Sequence, residues 1–306
     1  MASAKFAYIR STKTILMWKG ILLVLLGACS FGILSTIVKS GYQQGYTLGE
    51  LCSVQAGFGM LALWIIQAFS GKKTVGLTNK DARTCFILGS STGLVSITYY
   101  QSVQYIPASI AIILLMQFTW MSMLAEWIIY KKRPSPVQWL AVFFILGGTL
   151  LAGGVFNHTE TTLNWKGIGF GLLAALCYTV FIVVSGRVAA SLGPVLKSAW
   201  IVTGAFVLIT LIFPPLYLFN GRFTGTSLWI WGIPLSLFGT VLPPFLFSKG
   251  MPQTGVSLGA ILSAAELPVA MLAATIFLHE SVSSLQILGV AIILSAIAMA
   301  NLKRRK

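Results

Sequence analysis

Ten stretches of about twenty mostly apolar residues fill this 306-residue chain, with only short polar breaks between them. Each is long enough to cross the hydrocarbon core of a bilayer as a helix. They run over 18–38, 48–69, 84–104, 107–130, 137–156, 166–188, 198–219, 228–250, 255–278 and 282–302. In lipid every backbone amide must bond internally, so such runs are helices or barrel strands. Barrel strands are about half as long and alternate in polarity; these runs do neither. The predicted fold is an all-α integral membrane protein with ten transmembrane helices. Composition points the same way, since 57% of the residues are apolar and 9% charged, against about a quarter charged in a soluble domain. The first run lacks an evident A-x-A cleavage site and is long for a signal peptide, so it is expected to stay in the mature protein.

A formal charge of +15 would suit a nucleic-acid partner, but sorting it by loop gives another meaning. With the N-terminus inside, one face holds Lys5, Arg10, Lys13, Lys19, Lys72, Lys73, Lys80 and Arg83. The same face holds Lys131, Lys132, Arg133, Arg187, Lys197, Lys249 and the terminal Lys303, Arg304, Arg305 and Lys306, which makes 18 of the 21 basic residues. Lys39, Lys166 and Arg222 are left for the other face. Cytoplasmic loops carry such an excess, so both termini are expected in the cytoplasm and the helix count is expected to be even. No nucleic-acid partner is implied.

The chain repeats itself. Trp18-Lys19-Gly20-Ile21 recurs as Trp165-Lys166-Gly167-Ile168, and Leu25, Leu26, Ala28 and Gly57 match Leu172, Leu173, Ala175 and Gly204 at the same shift of 147. Near the end of each half the shift is 148: Ser109, Ile113, Leu114, Ala125, Ser135 and Gln138 match Ser257, Ile261, Leu262, Ala273, Ser283 and Gln286. Each half, 1–156 and 157–306, holds five helices. Five is odd, so the second half must enter the membrane from the opposite side. Inverted repeats of this kind recur in secondary transporters, with the substrate site near the midplane between the halves.

Each half closes on a helix pair, written QSVQYIPASIAIILLMQFTWMSMLAEWIIYKKRPSPVQWLAVFFILGG and FSKGMPQTGVSLGAILSAAELPVAMLAATIFLHESVSSLQILGVAIIL. With these pairs, ten helices and about 300 residues, the chain resembles the drug/metabolite transporter superfamily, specifically its EamA-type members. The Pro expected midway along the fourth helix of a repeat is present as Pro268 and replaced by Trp120 in the first half. The resemblance implies a central cavity surrounded by helices one, three, four, six, eight and nine.

Among the six acidic residues, Glu266 falls at the centre of a span, where a charge costs about 2.5–3.5 kcal/mol on insertion scales. It should face a cavity or be protonated, the alternative being a packing role. Pro268 two residues on cannot bond the Ala264 carbonyl, and Ser263 is one turn earlier on the same face. The position matching Glu266 is Phe118, beside Gln117; Gln117 and Trp120 share a face and could meet a ligand together. The third helix is unusually polar, with Tyr99, Ser96 and Thr92 on one stripe. Ser30 and Phe31 of the first helix correspond to Cys177 and Tyr178 of the sixth. The candidate substrate-binding residues are Glu266, Ser263, Gln117, Trp120, Tyr99, Tyr178 and Phe31. Pro214-Pro215 and Pro243-Pro244 should bend or break the seventh and eighth helices. Glu126 reads as an interfacial ion-pair partner, and Glu50 as a carboxylate at a helix start.

Cys29, Cys52, Cys85 and Cys177 form no C-x-x-C pair, His158 and His279 stand alone, and no phosphate-binding loop occurs. Neither a metal, a cofactor nor ATP-driven pumping by this chain alone is indicated. Asn157-His158-Thr159 is a weak glycosylation sequon. The expected function is a secondary transporter in the cell membrane that exports a small organic metabolite, amino-acid-like or drug-like, by alternating access. Its partners would be that substrate, the bilayer and protons coupled through Glu266, and the chain would be a monomer or homodimer. The alternatives are an uptake carrier for sugars or other metabolites, a membrane-embedded enzyme, or a structural subunit. A pore-sized polar chamber at residue 266 would favour transport, and dry packing the structural role.

Overall fold

A computed structural model describes residues 2–70, 78–106, 108–153, 164–185, 187–188, 192–219, 221–225, 227–278 and 282–302. Lys72, Lys73, the 157–159 sequon, His158, His279 and the terminal 303–306 cluster lie outside the described residues, as do the side chains of Lys5, Arg10 and Lys13. Every element among the described residues is helical. Ten rods follow in order: α1 (Ala2–Gln43), α2 (Leu48–Phe69), α3 (Asn79–Tyr105), α4 in two pieces (Ala108–Leu115 and Phe118–Tyr130) and α5 (Pro136–Ala152). The second half holds α6 (Trp165–Ser185), α7 (Pro194–Ile212), α8 in three segments (Leu228–Ser236, Leu237–Val241 and Leu242–Thr254), α9 in two pieces (Val256–Ser263 and Glu266–Leu278) and α10 (Ser284–Leu302). Seven of these are long and apolar enough to cross a membrane, α5 and α10 are shorter apolar helices, and α3 is the polar one.

The repeat residues explain their own recurrence at two helix starts. Ser135 and Gln138 form a capping box at α5, with Ser135 N–H donating to Gln138 Oε1 at 2.8 Å and Gln138 N–H to Ser135 Oγ at 3.3 Å. Ser283 and Gln286 repeat it at α10, at 2.9 and 3.3 Å. Two orphan amides are satisfied reciprocally in each case. Thr47 and Glu50 do the same for α2.

Two boundaries correct the sequence reading. The first helix runs back to Ala2 instead of starting at 18. The seventh runs from Pro194 to Ile212, so Pro214-Pro215 stand beyond its end and terminate it instead of bending it. In α8 the irregularity is a π-helical segment, Leu237–Val241. Pro243 and Pro244 open the segment after it, where missing amide donors do least harm.

Contact registers fix how the halves are related. Along α1, Gly20, Gly27 and Ser30 meet Gly250, Phe247 and Phe238, so α8 runs antiparallel to α1. Val54 and Gly59 of α2 meet Gly232 and Thr240, so α2 is parallel to α8. Gly49, Gly57 and Trp64 meet Phe213, Phe206 and Thr203, so α7 opposes α2. Gly89 and Gly93 meet Ile201 and Ala205, so α3 is parallel to α7, and Ile106 and Ser102 meet Gly167 and Gly171, so α6 opposes α3. Three reversals along that path leave α1 and α6, the equivalent first helices, antiparallel. The repeats are inverted.

The packing is also exchanged between halves: α3 and α4 pack on α6, while their counterparts α8 and α9 pack on α1. Helix α2 meets α7 and α5 meets α10 across the pseudo-twofold axis. Neither half forms its core alone. Glycine permits the closest crossing, where a Cβ on Gly89 would fall 1.8 Å from the Ile201 carbonyl oxygen and one on Gly204 1.9 Å from that of Phe86. The polarity of α3 fits its central position. Several of its hydroxyls are spent on its own carbonyls, as in Ser91 to Leu88 at 2.7 Å and Thr92 to Gly89 at 2.8 Å, and Ser102 donates across to the Gly167 carbonyl of α6 at 2.8 Å, which removes donors that lipid or core would leave unpaired.

Candidate functional site

Helices α4 and α9 break at equivalent places, Met116-Gln117 and Ala264-Ala265, but by different chemistry. In α9 Pro268 has no amide for the Ala264 carbonyl, which takes the Leu267 N–H at 3.3 Å instead, so the turn tightens rather than leaving the carbonyl free. In α4 there is no proline. Gln117 Nε2 donates to the Ile113 carbonyl at 3.1 Å, and Gln117 Oε1 accepts from Trp120 Nε1 at 2.9 Å. The amide and indole satisfy each other and the backbone at the break. Gln117 and Trp120 thus hold the first repeat in the shape that proline helps give the second.

The break in α9 brings Glu266 to a cavity near the pseudo-twofold axis. Phe31 and Tyr178 are equivalent residues of the two repeats, and their rings meet edge to face with centroids 6.0 Å apart. A pair of equivalents in contact lies at the axis. Phe118, the counterpart of Glu266, packs on Tyr178 with centroids 4.4 Å apart. One side of the axis therefore carries a carboxyl where the other carries a phenyl ring.

The cavity is about 60 Å³, walled by Phe31 and Leu34 of α1, Val95, Ser96, Tyr99 and Tyr100 of α3, Leu115 of α4, Tyr178 of α6 and Glu266 of α9. That volume holds about two waters, too little for an organic substrate as the walls stand. It is neither a pore-sized chamber nor dry packing. Four of the nine lining residues are aromatic, three are aliphatic, and Ser96 and Glu266 add a hydroxyl and a carboxyl. Tyr100 is anchored from behind, its hydroxyl donating to Gln55 Oε1 at 3.0 Å. Tyr178 Oη and Glu266 Oε2 are buried without a hydrogen-bond partner among the described residues. Buried polar atoms are rarely left so, and these two belong to neighbouring walls of one cavity.

Of the seven sequence candidates, Glu266, Tyr99, Tyr178 and Phe31 come together at this cavity. Gln117 and Trp120 do not line it, and the Ser263 hydroxyl is spent on the Gly259 carbonyl at 2.9 Å. Helix α8, implied as a cavity helix, contributes nothing to this lining. The sequence reading missed Tyr100, Leu34, Val95 and Leu115. Gln55, an amide inside an apolar helix, was a signal for Tyr100. No group of three or more His, Cys, Asp or Glu lies together among the described residues.

Comparison with known proteins agrees with this architecture. The profile of the EamA-like transporter family matches residues 18–154 and again 165–302, so the chain belongs to that family and is a multi-pass membrane transporter. The threonine/homoserine exporter RhtA of Salmonella typhimurium (strain SL1344) is 25% identical over 97% of this chain and 96% of its own. The transporter sll1319 of Synechocystis is 24% identical over 93% of this chain and 94% of its own. A solved crystal structure superposes with a TM-score of 0.75 at 17% identity, covering 96% of this chain and 98% of that one, which speaks to the fold alone.

Proposed function

We propose that the chain exports a small amine-bearing metabolite across the cytoplasmic membrane, both termini facing the cytoplasm. Residues 1–156 and 157–306 act as the two units of an alternating-access cycle. The observation that carries the substrate class is the buried, unpartnered oxygen of Glu266 beside aromatic rings, in a cavity whose lining contains no Lys, Arg or His. A cationic ammonium finds a carboxylate and ring faces there, and rings attract cations by about 0.5–2 kcal/mol. A substrate carboxylate would rely on the hydroxyls of Tyr99 and Tyr178. The outward direction and the amino-acid-like substrate are supported by the exporter RhtA. Glu266 would hold a proton when the site is empty and exchange it for the substrate's ammonium, because an unpaired charge at membrane depth is costly.

The narrowness of the cavity belongs to this cycle. Ligand sites for small organic molecules measure about 300–1,000 Å³, so the walls must part before any metabolite enters. The test is counterflow in proteoliposomes, beginning with threonine and homoserine and continuing with simple amines. Glu266→Gln is expected to insert normally and to lose flux driven by a pH gradient. Full gradient-driven flux in that variant would remove the coupling role.

A further inference from the structure

Another pocket, of about 420 Å³, opens at the basic end of the bundle, and none of its lining residues lines the Glu266 cavity. Lys132 and Arg133 wall it from the α4–α5 connection, Val137 from the first turn of α5, Ser257 from the start of α9 and Ala300 from the end of α10. It therefore lies between the repeats. Lys132 is held in place from two sides: its Nζ is 3.3 Å from Glu126 Oε1, and a Cβ on Gly255 would stand 3.3 Å from it. Arg133 is exposed and has no ion-pair or hydrogen-bond partner among the described residues.

The pocket keeps a positive balance. Glu126 behind it is shared between Lys132 and Arg187, at 3.3 and 3.2 Å, and its other oxygen accepts the Ser257 N–H at 3.0 Å and the Ser257 hydroxyl. One carboxylate thus stands against Lys132, Arg133 and Arg187. Of the chain's other acidic residues, Asp81 accepts the Thr78 hydroxyl at 2.7 Å at the start of α3, and Glu266 is in the cavity. Glu50, Glu160 and Glu280 fall in segments at the opposite end of the bundle. Beyond Ala300 the sequence adds Lys303, Arg304, Arg305 and Lys306, the first within about 11 Å along any path of the chain.

The shape below the cations selects the anion. Trp127 in the last turn of α4 and Trp139 in the first turn of α5 are both exposed, and Trp gathers at the headgroup level of a bilayer. From Val137 in the pocket wall, Leu140 and Phe144 continue one face of α5 for about 10 Å along the helix, and both are exposed. Cations at the surface and an apolar stripe beneath them match a phosphate that carries an acyl chain. We propose that the pocket binds one anionic phospholipid, its phosphate between Lys132 and Arg133 and a chain along Leu140 and Phe144. Bound there, it bridges α5 of the first repeat to α9 and α10 of the second. The site is independent of any exchange at Glu266, so its test needs no transport.

The full chain in mild detergent is titrated with dioleoyl phosphatidylglycerol, dioleoyl phosphatidylcholine or sodium phosphate, and its thermal unfolding is followed. A ligand that binds only the folded state raises the midpoint. Phosphatidylglycerol is expected to raise it saturably, and the other two, at the same concentrations, to leave it near that of the lipid-free protein. Arg133→Gln should raise the half-saturating lipid concentration about fivefold, the worth of one cation beside anionic lipid, while Arg133→Lys stays near the parent. Lys80→Gln, at the same end but outside the pocket, should leave it unchanged. Equal stabilisation by the two lipids, or equal losses in Arg133→Gln and Lys80→Gln, overturns the site in favour of diffuse attraction. Inorganic phosphate as effective as phosphatidylglycerol overturns the lipid as its occupant. The comparison of lipids on the parent decides by itself if Arg133→Gln does not fold.

Discussion

Gly32→Ala is the substitution at which fold and site meet. An added Cβ would stand 2.5 Å from the Glu266 carbonyl oxygen, 2.8 Å from Val269 Cβ and 3.0 Å from the Ala270 amide nitrogen. Two of those atoms are backbone, so no rotamer change relieves the contact. Restoring a separation of about 3.3 Å parts α1 and α9 by about 0.8 Å, and a gap of that size forfeits a quarter to a half of the dispersion well at each contact along the seam. Overpacking costs about 1–3 kcal/mol, and unyielding backbone puts this case near the top of that range. Helix propensity returns about 0.5–1 kcal/mol when Ala replaces Gly, leaving a net loss of about 2 kcal/mol. Gly147→Ala, with nothing within 4 Å of its Cβ, keeps only the propensity gain. Heating the detergent-solubilised proteins and following the monodisperse fraction should place Gly32→Ala below the parent and Gly147→Ala at or above it. Because the displaced wall carries Glu266, flux per folded Gly32→Ala molecule should also fall. A Gly32→Ala protein as stable and active as the parent would refute the reasoning.

Gln117→Leu removes both bonds at the α4 break and is expected to cost about 1–2 kcal/mol in the same thermal assay. It should lower maximal flux while leaving substrate preference unchanged; a changed preference would restore Gln117 to the binding surface. Tyr178→Phe deletes a buried hydroxyl without a partner, so stability should hold or rise by about 1 kcal/mol, while the KM for counterflow rises if the hydroxyl meets the substrate in the loaded site. An unchanged KM would leave Tyr178 as wall packing.

The fold was legible because lipid imposes two readable rules. Spans must be long and apolar, and loop charge must be sorted, so all ten rods and the inversion could be read from residue order. Helix ends were less legible where proline could stand inside or after a helix: Pro214-Pro215 terminate α7, and Pro243-Pro244 open a segment of α8. At the site, Glu266 was conspicuous because a carboxyl at membrane depth needs a reason, and Phe31 and Tyr178 because the repeat made them equivalent. For Gln117 and Trp120, i,i+3 spacing showed that two side chains can meet, and in the structure they bond each other at the α4 break. Tyr100 was hidden because its neighbour Tyr99 already occupied the stripe, and only the crossing of α2 and α3 brings Gln55 behind it.

The central claim is that Glu266 exchanges a proton for the substrate's ammonium, and its direct measure is proton release on binding. Substrate identified by counterflow is added to purified protein in weakly buffered detergent solution with a pH indicator. The parent is expected to release one proton per molecule bound, and Glu266→Gln none. Equal release from both proteins, or binding without release in the parent, would contradict the account.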